Sequence, residues 1–401
     1  MMSMDARWTG PHWSVSPHNF APEVATPSHP VMLHDITLRD GEECADVALG
    51  AEDKLAIAEA LCAVGLRRIE LFLTVPGWLE VVRQYMARQL PAALYVTWRP
   101  GRIERAMDLG VKHVMVWFRA SDEYQRAVIK RGRTELLDEA LASVAQAKSA
   151  GLHVNLFMPE STRTTLEQLR DAVQAAERAG ADAVTLVDSL SIARPAAIAY
   201  LVRKLTEWVH IPVEVHCHND FGLATASVLA AYEAGASVIH TAVNGLGYRA
   251  GNSSLDEVAV SLRTLYGVDP GIALDRLPWL ADLVQRLTGR ANGYFKPVVG
   301  EGAFRYEQWG ATSALERSGM RPVAFPFEPE MVGRGMRLVI GKWSDLAAVE
   351  RKLLELGMSA SADQLQAIHQ RAVTTALARR RPLGDDEFLD VASAEGAAFA
   401  K

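Results

Sequence analysis

The sequence predicts an α/β fold, a closed parallel (β/α)8 barrel with a C-terminal, mostly helical extension. Three observations predict it. Eight short apolar runs of β type alternate with amphipathic stretches of helical period over roughly 240 residues. Glycine closes one helical stretch after another, at Gly65, Gly110, Gly151, Gly180 and Gly235. No Gly-x-Gly-x-x-Gly follows the first run, where a doubly wound open sheet usually carries its phosphate loop.

The elements follow in order. Residues 1–30 read as an irregular, proline-rich arm. The first run, 31–38, has the composition of a buried strand and leads into Arg39, Asp40, Gly41, Glu42 and Glu43. A helical pattern over Glu52–Val64 precedes the second run, 67–73, and further runs lie at 93–98 and 113–118. Helical patterns over Thr134–Ala150, Thr165–Ala179, Pro195–Trp208 and Leu223–Ala234 separate the runs 153–159, 183–189, 212–219 and 238–245. The barrel therefore spans 31–275. Residues 276–401 form the C-terminal part, with helices expected over Asp345–Leu356 and Ala362–Arg379, and are expected to act as lid and dimerisation element.

Composition bounds the function. With 401 residues, 49% hydrophobic and 22% charged, the chain can bury one large core or two. A net charge of −6 argues against nucleic acid or an anionic membrane as partner, since both need concentrated positive charge. Arg379–Arg381, the notable basic run, reads as a last-turn helix cluster. Three scattered cysteines, Cys44, Cys62 and Cys217, suit neither a disulfide framework nor a tetrathiolate site, which fits a reducing cytoplasm. No stretch reaches the length of a membrane span, and the N-terminus lacks a signal-peptide core.

The chemistry starts from His216-Cys217-His218. In a strand, residues i and i+2 share a side, so both imidazoles face one point. A hydrogen-bonded core pair would look the same, and Asp40 could equally cap a helix. In a barrel, however, the C-terminal strand ends gather at one mouth. Asp40 after run one, the histidines of run seven and the glycine-rich stretch Asn244–Asn252 after run eight would then meet, which favours one divalent ion held by Asp40, His216 and His218. Inward positions near the mouth nominate Glu70, Phe72, Thr97, Arg99, Trp117, Arg119 and Ser189 for the substrate pocket. Arg99 and Arg119 would suit an anionic substrate tail, and pairing with neighbouring acids is their plainer role.

Three segments carry a family resemblance: Asp35-Ile-Thr-Leu-Arg-Asp-Gly-Glu42, His216-Cys-His-Asn-Asp220 with Gly222-Leu-Ala224, and Asn244-Gly-Leu-Gly-Tyr-Arg-Ala-Gly-Asn252. They resemble the signatures of the metal-dependent TIM-barrel family of isopropylmalate, homocitrate and citramalate synthases, which includes hydroxymethylglutaryl-CoA lyase. Phe327–Lys342 is similar to the segment after the barrel in the homocitrate branch. The resemblance implies a metal ion (Mg2+, Mn2+ or Zn2+) held by Asp40, His216, His218 and Asn252, with Arg39 at the substrate carbonyl. It also implies a Claisen-type condensation of an acyl-CoA, usually acetyl-CoA, with a 2-oxo acid, followed by thioester hydrolysis. Glu160, in Pro159-Glu-Ser-Thr-Arg163, matches the family's acid/base glutamate, with Arg163 beside it as a substrate-binding candidate. Ser189 stands where the family often has a threonine on the oxo-acid carboxylate.

The chain departs from the pattern at Tyr248, usually glutamate, and at Glu43, often glutamine. Glu43 lies where it would repel a substrate carboxylate unless protonated or turned away. Past the barrel, Phe304-Arg-Tyr-Glu-Gln-Trp-Gly-Ala311 lacks the family's catalytic histidine, and no histidine lies between His240 and His369. Tyr306 takes the proton-transfer role, or another residue does, or the chemistry differs. A metal-dependent carbon–carbon lyase of the hydroxymethylglutaryl-CoA lyase type is the alternative, although no cysteine lies in Asn244–Asn252, where that branch places one. A non-catalytic metal-bound module is a third reading, against which the joint retention of Arg39, Asp40, Glu160, His216, His218 and Asn252 weighs. A homodimer is expected, and no leucine feedback, since there is no room for the appended regulatory domain.

Overall fold

The first strand is cut short by its own aspartate. In the computed structural model β1 (Met32–Asp35) ends where the buried Asp35 carboxylate accepts the Thr37 backbone N–H at 2.9 Å and the Thr37 hydroxyl at 3.0 Å. This short local bond competes with strand pairing and turns the chain. Arg39 and Asp40 therefore sit in a turn ahead of a 3-10 turn, Gly41–Glu43, and not on the strand itself. The structure describes residues 9–24, 27 and 29–399. The parts of the expected N-terminal arm at 1–8, 25, 26 and 28 lie outside the described residues.

The remaining strands are β2 (Arg68–Leu71), β3 (Ala93–Thr97), β4 (His113–Trp117), β5 (His153–Met158), β6 (Ala183–Asp188), β7 (Val213–Cys217) and β8 (Val238–Thr241). They pair in parallel in chain order, and β1 closes on β8 with Leu33 opposite Ile239, so the sheet is a closed eight-stranded barrel. The strands are shorter than the apolar runs at their C-terminal ends, because residues beyond Asp35, Leu71, Cys217 and Thr241 turn into the loops of the mouth.

Strict alternation explains why these segments choose the strand. Leu94, Val96, Val114, Val116, Val154, Leu156, Val184, Leu186, Val213 and Val215 form one set, all buried and mostly β-branched. Tyr95, Met115, Phe157 and Val187 form one inner cluster, and His34, His113, His153 and His240 meet neighbouring rings across the lumen. One face thus packs on the helices and the other fills the barrel.

The barrel unit, Pro17–Asn292, includes the helices Leu255–Leu265 and Leu277–Thr288 that follow β8. The other unit combines the residues before Pro17 with Gly293–Lys401. It has its own core, in which Ile340, Val349, Ile368, Ala372 and Phe388 are fully buried. Helices Leu346–Glu355, Ala362–Arg379 and Asp385–Ala394 supply most of it. A two-stranded parallel pair joins Arg305–Tyr306 to Arg337–Leu338. The described residues of the arm before Pro17 are tied into this unit where the Glu328 N–H donates to the His12 carbonyl at 2.6 Å. Among the described residues no helix is long and apolar enough to cross a membrane.

Candidate active site

His216 is an inward residue of β7, and His218 lies just past the strand, fixed by an isolated antiparallel bridge to Asn252. Their Nε2 atoms face each other at 3.3 Å. Each also lies 3.7 Å from Oδ2 of Asp40. The other carboxylate oxygen, Oδ1, accepts the Asn252 amide N–H at 2.8 Å and the Tyr248 backbone N–H at 3.0 Å. The turn after β1, the end of β7 and the loop after β8 thus converge at the barrel mouth.

Charge states favour ligation. Burial pushes both imidazoles below the usual histidine value, and for His216 the neighbouring His218 and Arg39 add to this. Both rings are therefore neutral at pH 7, each with a lone pair on one ring nitrogen. Burial pushes Asp40 up, but Arg39, His218 and the bonds from Asn252 and Tyr248 outweigh it and hold the carboxyl below the ordinary range. Asp40, His216 and His218 form one buried group whose ligand atoms lie within 4.8 Å of one another. The Asn252 Oδ1 is buried and has no partner. Two imidazole nitrogens, a carboxylate oxygen and an unused amide oxygen make a donor set that fits a divalent cation.

The space around this group is fixed by backbone. A Cβ on Gly247 would lie 2.0 Å from Asn252 Nδ2 and 2.8 Å from Asp40 Oδ1, so only glycine lets the loop after β8 close over the acid.

Arg39 is fully buried beside the acid, its Nη1 2.7 Å from Asp40 Oδ2 and its Nε 3.1 Å from Glu70 Oε2. Its guanidinium lies 5.2 Å from the Phe157 ring centroid. Burial works against its charge, yet Glu70, Asp40 and Glu43 together raise its pKa, so the cation is permanent. Its Nη2 has no protein partner and is a donor available to a ligand oxygen.

Glu160 follows β5 and Pro159 in a left-handed conformation (φ 68°) that favours glycine, the kind of strain that collects at functional sites. Its N–H donates to Ser189 Oγ at 2.9 Å, and Arg163 Nε lies 3.7 Å from its carboxylate. Loops after β5 and β6 are locked together where Thr162 donates to Asp188 at 3.0 Å.

A cavity of about 550 Å3 opens at the mouth. Arg39, Asp40, Glu43, Arg119, Glu160, Ser189, His216 and His218 line it, with Trp117, Tyr124, Phe157, Tyr248 and Arg249. Glu43 faces Arg39 at 3.6 Å, and burial pushes its pKa above the usual glutamate value. Glu70 lies beneath Arg39 and does not line the cavity. Arg99 is exposed, its carbonyl accepting the N–H groups that begin helix Ile103–Asp108. Arg163 sits at the edge, two-fifths exposed. Tyr306 belongs to the C-terminal unit, where its ring meets Phe325 at 5.5 Å and burial raises its hydroxyl pKa.

Sequence reasoning missed a polar layer beneath the mouth. Arg68 donates to Glu214 at 2.7 Å and to His34 Nδ1 at 3.1 Å, His240 meets Glu214 at 2.9 Å, and the His34 and His240 rings stack at 4.3 Å. The signal is present as polar residues two apart, Arg68/Glu70 and Glu214/His216, inside runs that read as apolar. A larger cavity, about 1050 Å3, opens at the opposite strand ends beneath Tyr95, Arg68 and Glu214 and touches none of the mouth residues.

The sequence model of the HMGL-like family matches residues 30–284. The chain is 37% identical over 348 residues to a probable 2-isopropylmalate synthase of Methanopyrus kandleri, covering 85% of this chain and 69% of that protein. It is 35% identical to a homocitrate synthase of Methanothermobacter thermautotrophicus, covering 88% and 90%. Among solved structures, hydroxymethylglutaryl-CoA lyase from Pseudomonas aeruginosa superposes with a TM-score of 0.61 at 21% identity, over 67% of this chain and 96% of that one, a likeness of fold.

Proposed function

Because this chain belongs to the HMGL-like family, we propose that it condenses an acyl-CoA, acetyl-CoA first among candidates, with a 2-oxo acid to give a 2-alkylmalate- or homocitrate-like product and CoA. The relatives' names, 2-isopropylmalate and homocitrate synthase, support this direction of reaction. One observation carries the reading: Asp40, His216, His218 and Asn252 converge beside a buried Arg39 that still has a free donor.

A divalent ion held by those four side chains would polarise the carbonyl of a 2-oxo acid. The protein's own groups do the rest. Glu160 takes a proton from the acyl methyl group, and the resulting carbanion bonds to the 2-oxo carbon. Charge then develops on the former carbonyl oxygen, toward which Arg39 offers Nη2 from a fixed, water-poor position held by Glu70 and Asp40. Phe157 and Trp117 keep that wall apolar. Tyr306, whose hydroxyl pKa burial raises, is the residue the sequence offers for proton transfer in place of the family's histidine. Water finally cleaves the thioester and frees the CoA thiol.

The test is thiol release by the full-length protein with acetyl-CoA, Mg2+ or Mn2+ and a panel of 2-oxo acids. Turnover with at least one of them is expected. His216→Ala and Asp40→Ala should abolish it, and Arg39→Lys should lower kcat by about 10^2–10^3-fold. Tyr306→Phe should lower kcat without changing metal affinity, and an unchanged kcat would remove Tyr306 from the mechanism. Thiol release with none of the acids, together with metal-dependent cleavage of a 3-hydroxyacyl-CoA, would replace the synthase reading by the lyase one.

A further inference from the structure

The cavity of about 1050 Å3 at the end of the barrel opposite the mouth is lined entirely by residues of the barrel unit. The first residues of β1, β2, β3, β5, β6, β7 and β8 all contribute to its wall. The hollow has a simple origin. Ala93 lies two residues before the inward Tyr95, and Ala183 lies two before Thr185, which donates to Asn155 across the lumen at 2.8 Å, so two strands begin with an inward methyl group. Larger side chains there would plug the barrel.

Both acids that line the hollow are satisfied by the protein. Glu214 accepts from Arg68 at 2.7 Å and meets His240 at 2.9 Å, and Asp182 accepts from Lys148 at 2.8 Å and from the Val154 N–H at 2.7 Å. The donors are not. Arg68 spends Nε on His34 and Nη2 on Glu214, and its Nη1 has no partner among the described residues. Tyr95 is only 3% exposed, with its ring centroid 4.3 Å from the Arg68 guanidinium carbon, and its hydroxyl bonds to no described residue. Burial pushes that hydroxyl up to about 12, so it stays a donor at neutral pH. Arg67, exposed at the rim, has no carboxylate partner among the described residues. With Lys148 matched by Asp182 and Arg68 by Glu214, the charge left over is the positive one of Arg67. Burial holds His153 below the usual histidine value, so it adds none at pH 7.

We propose that this cavity is a second ligand site, separate from the mouth, for a free aliphatic monocarboxylate. The carboxylate takes the two unused donors, Arg68 Nη1 and the Tyr95 hydroxyl, and Arg67 adds attraction from the rim. The chain lies along Met32, Ala93, Ala183, Ile211 and Val238, which line the same space. Met32 is 45% exposed at that wall, apolar surface that such a chain covers. A second anionic group is disfavoured, because Asp182 and Glu214 face the same hollow. The volume is that of a small-molecule pocket, for which about 300–1,000 Å3 is usual. Nothing in the assignment depends on the reaction at the mouth.

The experiment titrates the full-length, Mn2+-loaded protein with octanoate by calorimetry, with 1-octanol as the neutral chain of the same length and octylamine as the cationic one. Octanoate should bind at least about tenfold more tightly than either. Tyr95→Phe, which removes the hydroxyl and keeps the ring, should weaken octanoate by about 10–100-fold, the range for a hydrogen bond to a charged group. Arg67→Gln, at an exposed side chain, should weaken it by a smaller factor and flatten its salt dependence, and it carries the comparison where Tyr95→Phe fails to fold. Met32→Trp, which fills the hollow from an exposed position, should abolish binding with melting temperature and Mn2+ affinity unchanged. That variant also locates the site, since Met32 lines this cavity and not the mouth. Equal binding of octanoate and octanol, no binding of octanoate at millimolar concentration, or binding that survives Met32→Trp overturns the assignment and leaves the mouth chemistry in place.

Discussion

Gly247 is a residue whose importance only the folded chain reveals. The sequence shows it as one glycine among several in Asn244–Asn252, and in the structure it is the point where backbone presses on both Asn252 and Asp40. A single methyl group there has to displace two members of the candidate metal site. Gly247→Ala is therefore expected to weaken Mn2+ binding by about tenfold or more, as loss of oriented ligands does elsewhere. The fold should survive, because the loop lies at the mouth and not in the barrel wall. Titration of Mn2+ into the variant, followed by electron paramagnetic resonance, reads the effect, and an unchanged affinity would show that the loop has slack. The meeting of His216, His218 and Asp40 was legible because convergence is written into i, i+2 spacing and strand-end position. Arg119 reads in the sequence as an inward arginine, and it lines the mouth cavity.

At the scale of elements, the strands were found from their apolar character, while their inner faces carry a polar layer. The runs were recognisable because the outward valines and leucines dominate hydropathy, and that same dominance hid Arg68, Glu214 and the lumen histidines. Asp35 likewise reads as part of a longer strand, because a side chain that ends a strand by bonding to Thr37 has no periodicity to betray it. The inner layer has a pH signature. Burial, then the neighbouring His153 and Arg68, lower His113 to about 4, against 6.5 when unfolded. Between these two values the unfolded chain binds a proton that the folded one refuses. The contribution is thus fully present above about pH 6.5 and is lost as pH falls toward 4. After discounting for partial exposure the effect is about 1–2 kcal/mol. His113→Phe keeps an aromatic ring beside Tyr95 and His153. Urea unfolding of this variant between pH 7 and 4.5 should lose less stability than the wild type by that amount, while equal slopes would mean that His113 is protonated in the fold.

For the whole molecule, the eightfold alternation made the barrel readable, but the C-terminal unit was not readable in the same way. Its helices Leu346–Glu355 and Ala362–Arg379 have ordinary amphipathic periods, whereas the segment from Gly293 to Ser344 is mostly loops and short turns around one helix, Gly310–Arg317. Little in that segment repeats, and its two-residue strands are too short to leave a pattern. The unit buries a core of its own around Ile340, Ile368 and Phe388, so the expected dimer does not rest on an unfinished interior. The expectation rests on its surface instead. Trp343, Leu354, Leu377 and Phe399 are each more than half exposed, and large apolar side chains left in water favour association when they fall on a shared face. A homodimer is the state in which one chain supplies its own complement by two-fold symmetry. Light scattering coupled to size exclusion is expected to give about twice the chain mass of 43.8 kDa. Trp343→Ser combined with Phe399→Ser should shift the population toward single chains at low micromolar concentration without lowering the barrel's Mn2+ affinity. A wild-type protein that elutes at the mass of one chain across that range would leave those side chains as ordinary surface residues and remove the dimer.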